Sequence, residues 1–244
     1  MQKTVVVTGA AGWLGCAVAQ AFAQAGDRVM LTDIDAAVLD KAARTMAGYD
    51  EGRIAACAGD VRRYADVQQV VEAAVQRWGR LDVIACVAGG ALGRLTGRRE
   101  KEKLITEYST EDWDLVLDAN LKGLFHCIKA VAPVMMAQRD GHIIIMGSGT
   151  GLKGRSKWSA YAAAKSGALG LMKSAAIELG PFNVKVNVVA PGKNPHPGEV
   201  DEPAPGNVLS RTNAASEPAE FFVQLSRMSG VSGQFLNLDA RILF

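Results

Sequence analysis

Short, almost continuously apolar runs alternate along the chain with longer segments whose apolar side chains recur at a helical period. Runs at 4–8, 28–32, 53–58, 81–87, 142–147 and 184–189 predict strands, and 234–238 predicts a last one. Strands that are apolar at nearly every position suit a sheet covered on both faces. Segments 12–25, 35–47, 64–78, 111–138, 158–179 and 217–228 predict helices. Such alternation implies right-handed βαβ crossovers and therefore an α/β fold, a doubly wound parallel sheet of about seven strands flanked by helices on both faces. With no repeat and no linker in evidence, residues 1–244 read as a single domain.

Two segments interrupt the pattern. Residues 89–110 form a long connection carrying Arg98, Arg99, Glu100, Lys101, Glu102 and Lys103. Residues 191–206 carry Pro191, Pro195, Pro197, Pro203 and Pro205, a density that forbids regular helix. Both follow strands, so both belong at the carboxyl edge of the sheet, where ligands bind in folds of this type. Each reads either as cover for a site or as a solvated charged loop.

Composition narrows the class. Hydrophobic residues make up 49% of the chain, which argues against disorder. The formal charge of +2, with basic residues scattered, gives no pull toward nucleic acid. No run reaches the roughly 18 apolar residues of a membrane span, and no signal-like start precedes the first strand. The expectation is a soluble, cytoplasmic protein without a membrane partner. Cys16, Cys57, Cys86 and Cys127 lie in apolar runs without metal-like spacing, so free thiols and no metal site are expected.

The first strand runs into Thr8-Gly9-Ala10-Ala11-Gly12-Trp13-Leu14-Gly15, which opens a helix. Glycines allow a tight turn and let backbone N–H groups approach a pyrophosphate, and the helix N-terminus favours its charge. This strand–turn–helix context points to a Rossmann-type dinucleotide site. Asp33, at the end of the second strand, suits a ribose and would repel a 2′-phosphate. No Lys or Arg stands in the turn, so NAD is favoured over NADP. Asp33 reads alternatively as a helix N-cap. Asp60 and Val61, after the third strand, are candidates for the adenine edge, with Asp60 alternatively a loop cap.

Tyr161 and Lys165 are spaced i,i+4 in a predicted helix and so share a face, with Ser148 upstream. A cation beside a phenol favours the phenolate, which would make Tyr161 a proton-transfer group near neutral pH. Ser148 could anchor a carbonyl or hydroxyl oxygen.

In this order, the glycine turn, Asp33, Ser148 and the Tyr161–Lys165 pair resemble the short-chain dehydrogenase/reductase family, in its single-domain branch. Asn120 falls where that family keeps an asparagine midway along a long helix. Asn187-Val188-Val189-Ala190-Pro191-Gly192 and the stretch from Ser232 to Asp239 are also similar to it. The resemblance implies NAD-dependent interconversion of a secondary alcohol and a ketone. It makes Tyr161 the general acid or base and Ser148 the substrate-oxygen anchor. Lys165 would tune Tyr161 and hold the nicotinamide ribose, and Asn120 would hold a water that links Lys165 to solvent. Gly9, Gly12, Trp13, Leu14, Gly15, Asp33, Asp60, Val61, Ala88, Gly89, Pro191 and Gly192 would line the cofactor, together with Asn120, Tyr161 and Lys165. Homodimers or homotetramers are expected, and polyol, hydroxysteroid-like and 3-oxoacyl substrates are all compatible. An NAD-binding sensor and an epimerase with retained NAD are the alternatives.

The chain also departs from the family pattern. Trp13 stands where a glycine is usual, Cys86 and Val87 where two asparagines are usual, and no threonine follows Gly192 before Thr212. Asn194 or a backbone group would replace that threonine. Lys153, Arg155 and Lys157, just before Tyr161, are either a site for an anionic substrate group or solvated charges.

Overall fold

A computed structural model describes residues 2–46, 48–49, 52–97, 103–195 and 207–240. The strands are β1 (Thr4–Thr8), β2 (Arg28–Thr32), β3 (Ile54–Ala56), β4 (Val83–Cys86), β5 (Gly141–Met146), β6 (Val184–Ala190) and β7 (Phe235–Asn237). They form one parallel sheet in the order β3-β2-β1-β4-β5-β6-β7. The helices are α1 (Trp13–Gln24), α2 (Ala36–Arg44), α3 (Tyr64–Trp78), α4 (Leu92–Thr96), α5 (Thr110–Leu117), α6 (Gly123–Gln138), α7 (Thr150–Lys153), α8 (Ser159–Leu179) and α9 (Ser216–Ser226).

Alternation within a strand divides the core between two layers. Val5 and Val7 point to one face, where Val18, Ala19 and Phe22 of α1, Leu39 of α2 and Phe222 of α9 close over them. Val6 and Ile84 point to the other, against Val67, Val70 and Val71 of α3, Leu124 and Ile128 of α6, and Met172 of α8. The unbroken apolar strands are thus the expected result of two-sided cover. The expected strands at 53–58, 81–87 and 234–238 are shorter, because pairing is limited to Ile54–Ala56, Val83–Cys86 and Phe235–Asn237.

The helix expected over 111–138 is interrupted. Between α5 and α6, Asp118–Lys122 adopts a π turn, and Asn120 lies inside it. Asn120 Nδ2 donates to Val116 O at 2.9 Å, a side-chain bond that supports the widened turn. Two short helices, α4 and α7, occupy stretches expected to be connection. Tertiary packing creates α4: Leu92, joined by Leu95, sits with Val116 and Ala160 in a small cluster beside Tyr161. Arg98–Glu102, Pro197, Pro203 and Pro205 lie outside the described residues. Lys103 forms an ion pair with Asp112 at 2.6 Å, tying the end of the 89–110 segment to α5. No described helix is long and apolar enough to cross a membrane.

Candidate active site

The neighbouring strands β1 and β4 lead to helices on opposite faces: α1 packs in one core layer and α6 in the other. A crevice therefore opens at their carboxyl ends, the usual ligand position in such sheets. Thr8, the last residue of β1, closes its floor. Its Oγ1 accepts hydrogen bonds from Val87 N and Ala88 N, each at 3.1 Å. It thereby fixes the backbone of the Cys86–Gly89 segment without the asparagine side chains that the family pattern leads one to expect.

On the α1 side the glycine turn is packed without room for side chains. A β-carbon on Gly15 would stand 2.0 Å from Gly9 O, and one on Gly9 2.8 Å from Ala88 Cα. Gly9 has φ of +67°, and its carbonyl accepts from Gly12 N at 3.0 Å. Gly12 is the N-cap of α1, so the N-terminal end of that helix, beginning at Trp13, faces the crevice with its favourable dipole. Asp33 lies beside the turn: Oδ2 accepts from Ala11 N at 3.0 Å and Oδ1 from its own neighbour Ile34 N at 2.8 Å. Each oxygen retains acceptor capacity for a ribose hydroxyl. The N-cap of α2 is Asp35, not Asp33, which removes the capping alternative. Asp60 behaves as a loop cap. Its carboxylate takes up the Arg62 guanidinium at 2.6 Å and Arg62 N at 2.9 Å, and those bonds hold its pKa below the usual carboxylate value despite burial. Val61 O meets His126 Nδ1 at 2.9 Å.

On the opposite side, the four residues expected to carry chemistry come together. Tyr161 and Lys165 project from α8, Ser148 follows β5, and Asn120 comes from the π turn. Burial raises the Tyr161 phenol above its ordinary pKa, while a hydrogen bond with Ser148 and the charge of Arg94 pull it back. Burial lowers the Lys165 ammonium to about 8, and Arg94 adds to the effect. In this arrangement Lys165 bonds elsewhere, and burial sets the direction of the Tyr161 shift. Lys165 Nζ donates to Met146 O at 2.9 Å and stands 5.5 Å from the Tyr161 ring centroid. Asn120 is buried, donates to Gly90 O at 2.9 Å and accepts from Gly90 N at 3.0 Å. A cavity of about 10 Å³, with Thr8, Cys86, Asn120, Cys127 and Lys165 in its walls, suits a single water molecule. Cys86 faces inward: a hydrogen bond with Cys127 and burial hold its thiol well above the ordinary pKa.

The side expected to receive the nicotinamide follows the end of β6. Gly192 has φ of +77°, and Asn213 Nδ2 bonds to Pro191 O at 3.1 Å, pinning the start of this segment. Asn194 Nδ2 donates to Asn213 O at 2.9 Å, whereas its buried Oδ1 has no partner among the described residues. An orphaned acceptor of that kind fits an incoming amide N–H. Near the substrate side, Trp158 meets Tyr161 edge-on at 5.5 Å and Arg155 stacks over Trp158 at 4.1 Å. Arg155 is thus engaged with an aromatic face, while Lys153 and Lys157 are exposed.

Thr8 and Arg94 belong to the site although the sequence pattern does not single them out. The position of Thr8 directly before Gly9 is the available signal. Arg94 carries no local signal, since its importance comes from contacts across the crevice.

Comparison with known proteins gives the family. Residues 3–194 match the family described as short chain dehydrogenase. The chain is 33% identical over 250 residues to the 3-oxoacyl-(acyl-carrier-protein) reductase FabG of Thermotoga maritima, covering 99% of this chain and 98% of that protein. It is 33% identical over 260 residues to a short-chain dehydrogenase/reductase of Armillaria gallica, covering 99% and 96%. With the oxidoreductase UcpA of Salmonella typhimurium it shares 35% identity over 192 residues, 78% of this chain and 68% of that protein.

Proposed function

The chain belongs to the short-chain dehydrogenase family, oxidoreductases that act on CH–OH groups with NAD(P), and from that membership we propose that it interconverts a ketone and a secondary alcohol with NAD(H). The observation that carries the reading is the convergence of Ser148, Tyr161, Lys165 and Asn120 at the carboxyl edge, with a turn across the crevice whose Gly9 and Gly15 have no room for a side chain. The fit to a dinucleotide rests on that cradle, on the open acceptor capacity of Asp33 and on the orphaned Asn194 Oδ1. Asp33 beside a turn without cations favours NAD over NADP. Gly9, Gly12, Trp13, Leu14 and Gly15 would take the pyrophosphate side, and Ala88, Gly89, Pro191 and Gly192 the nicotinamide half.

Bound nicotinamide supplies or accepts the hydride at the carbon that bears the substrate oxygen. The chain's own residues do the rest. Ser148 holds the substrate oxygen. Tyr161, a phenol protonated at neutral pH whose pKa burial raises further, donates the phenolic proton to that oxygen as the carbonyl carbon is reduced. Oxidation runs the same transfer backwards. Lys165 lies close enough to stabilise the phenolate formed after proton transfer, and a water in the cavity beside Asn120 would return a proton.

Among the compatible substrate types, 3-oxoacyl thioesters are favoured by the name of the Thermotoga maritima relative. Family membership favours a homodimer or homotetramer. A panel of 3-oxoacyl thioesters, polyols and cyclic ketones, each with NAD(H) and NADP(H), tests the reading through cofactor absorbance. Turnover of a carbonyl or alcohol compound with a preference for NAD(H) is expected. Absence of turnover with every member, in a protein that binds NADH, would sink it.

A further inference from the structure

We propose that Arg94 is a phosphate-binding residue of the dinucleotide site, reaching over the glycine turn from the opposite wall of the crevice. The proposal rests on the cofactor reading above. It concerns how a turn without cations holds two phosphate charges, since residues 8–15 contain no Lys or Arg.

The placement is specific. A β-carbon at residue 12 would lie 2.6 Å from Arg94 Nη2, so the guanidinium occupies the space beside Gly12 that a side chain would otherwise fill. The stem of Arg94 lies flat across Gly90, where a β-carbon would meet Arg94 Cδ at 2.7 Å and Cγ at 3.2 Å. Gly90 is itself held at both its N–H and its carbonyl by Asn120. Leu92 and Leu95 secure α4 against Val116 and Ala160, which leaves Arg94 on the exposed side. Gly89 and Gly90 thus serve two neighbours. A β-carbon on Gly89 would stand 2.5 Å from Asn120 Oδ1, so the first glycine clears Asn120 and the second clears Arg94.

The chemistry of the guanidinium is uncommitted. Among the described residues Arg94 makes no ion pair and no side-chain hydrogen bond. Its planar fork of N–H donors matches two phosphate oxygens, and a diphosphate on the turn would lie between these donors and the first N–H groups of α1. The charge also reaches Tyr161 and Lys165, which places the arginine between the two ends of the site. Its tip lies at Gly12, inside the glycine turn, so the cofactor diphosphate is the phosphate source assigned here.

The test compares wild type, Arg94→Met and Arg94→Lys by titration with ADP-ribose, adenosine and NADH. Arg94→Met should raise the Kd for ADP-ribose and NADH about tenfold or more, as loss of one charge-assisted contact does. It should leave adenosine binding within about twofold, and flatten the salt dependence of ADP-ribose binding. Arg94→Lys should fall between the two, because a point charge replaces the fork. Both variants should melt near wild type, since the side chain is exposed and unpaired. Equal ADP-ribose affinity in wild type and Arg94→Met would overturn the proposal while leaving the cofactor reading intact. So would an effect confined to the KM of an anionic substrate. Failure of the wild type to bind ADP-ribose or NADH would overturn both.

Discussion

Asn120 should be a structural keystone whose loss shows in stability as well as in turnover. It is 3% exposed and makes three hydrogen bonds, to Val116 O at 2.9 Å, Gly90 O at 2.9 Å and Gly90 N at 3.0 Å. Asn120→Ala removes all three and leaves two carbonyls and one amide to find new partners. At about 0.5–1.5 kcal/mol per bond, with an added desolvation cost for whichever group stays unpaired, the loss comes to about 2–4 kcal/mol. For a chain of this size that corresponds to a fall in Tm of about 4–16 °C. Asn120→Asp gives the sharper test. The introduced carboxyl still accepts from Gly90 N, but its other oxygen faces two carbonyl oxygens, which favours the protonated form. A carboxyl whose folded pKa lies above its unfolded value stabilises most below the unfolded value, and that contribution is lost as pH rises through the folded one. Urea denaturation at pH 5 and pH 8 reads this directly. Asn120→Asp should lose more stability than wild type on going to pH 8, whereas Asn120→Ala should show no such difference. If both variants melt like wild type at either pH, the hydrogen bonds described around the π turn are not those of the protein.

Three further outcomes follow from the same geometry. Lys165 carries a pKa lowered to about 8 by burial, against an unfolded value of about 10.4. Between those values the unfolded chain binds more protons, so this residue makes stability rise with pH, and below about 8 it imposes a constant cost. Lys165→Met should therefore stabilise the protein by about 2 kcal/mol at pH 7, after allowing for the lost bond to Met146 O, with a gain that shrinks toward pH 10 in denaturant titrations. Gly15→Ala would put a β-carbon 2.0 Å from Gly9 O, against backbone that is bonded to β2 through Ala10 N and Thr32 O. Stability should fall by about 1–3 kcal/mol and NADH affinity by at least about tenfold, measured by melting and fluorescence titration. Asp33→Ala should lower the ratio of kcat/KM for NAD over NADP by about tenfold, and an unchanged ratio would remove Asp33 from cofactor selection.

How much of the fold and site is legible in the sequence depends on how local each cause is. The strands are readable because both faces of the sheet are covered, so Val5, Val6 and Val7 are all apolar although they feed different layers. The pairing of Tyr161 with Lys165 is readable because an i,i+4 spacing sets a shared helix face. What the ammonium does there is not, since Met146 O comes from β5, across the fold. The π turn is hidden because residues 111–138 keep a helical period through it, and its widened register shows in the backbone bond from Gly123 N to Asp118 O, five residues back. In sequence Arg94 is one more charge in a connection. Its position depends on Gly90, Asn120 and Gly12 meeting across the crevice, a convergence that no single stretch of sequence records. Cys86 stands in sequence as a departure on the cofactor side, whereas its thiol is turned inward to Cys127 and Thr8 holds the backbone in its place.

The central claim is that Tyr161 passes the proton to the substrate oxygen during hydride transfer, and single-turnover oxidation of NADH by a ketone that the wild type accepts tests it most directly. Tyr161→Phe keeps the ring that packs with Leu92 and Ala160 and removes only the hydroxyl. The hydride-transfer rate should fall by about 10²–10⁴-fold, as expected for loss of a positioned acid, while the Kd for NADH stays within about twofold. A Tyr161→Phe protein that oxidises NADH at the wild-type rate would contradict the account.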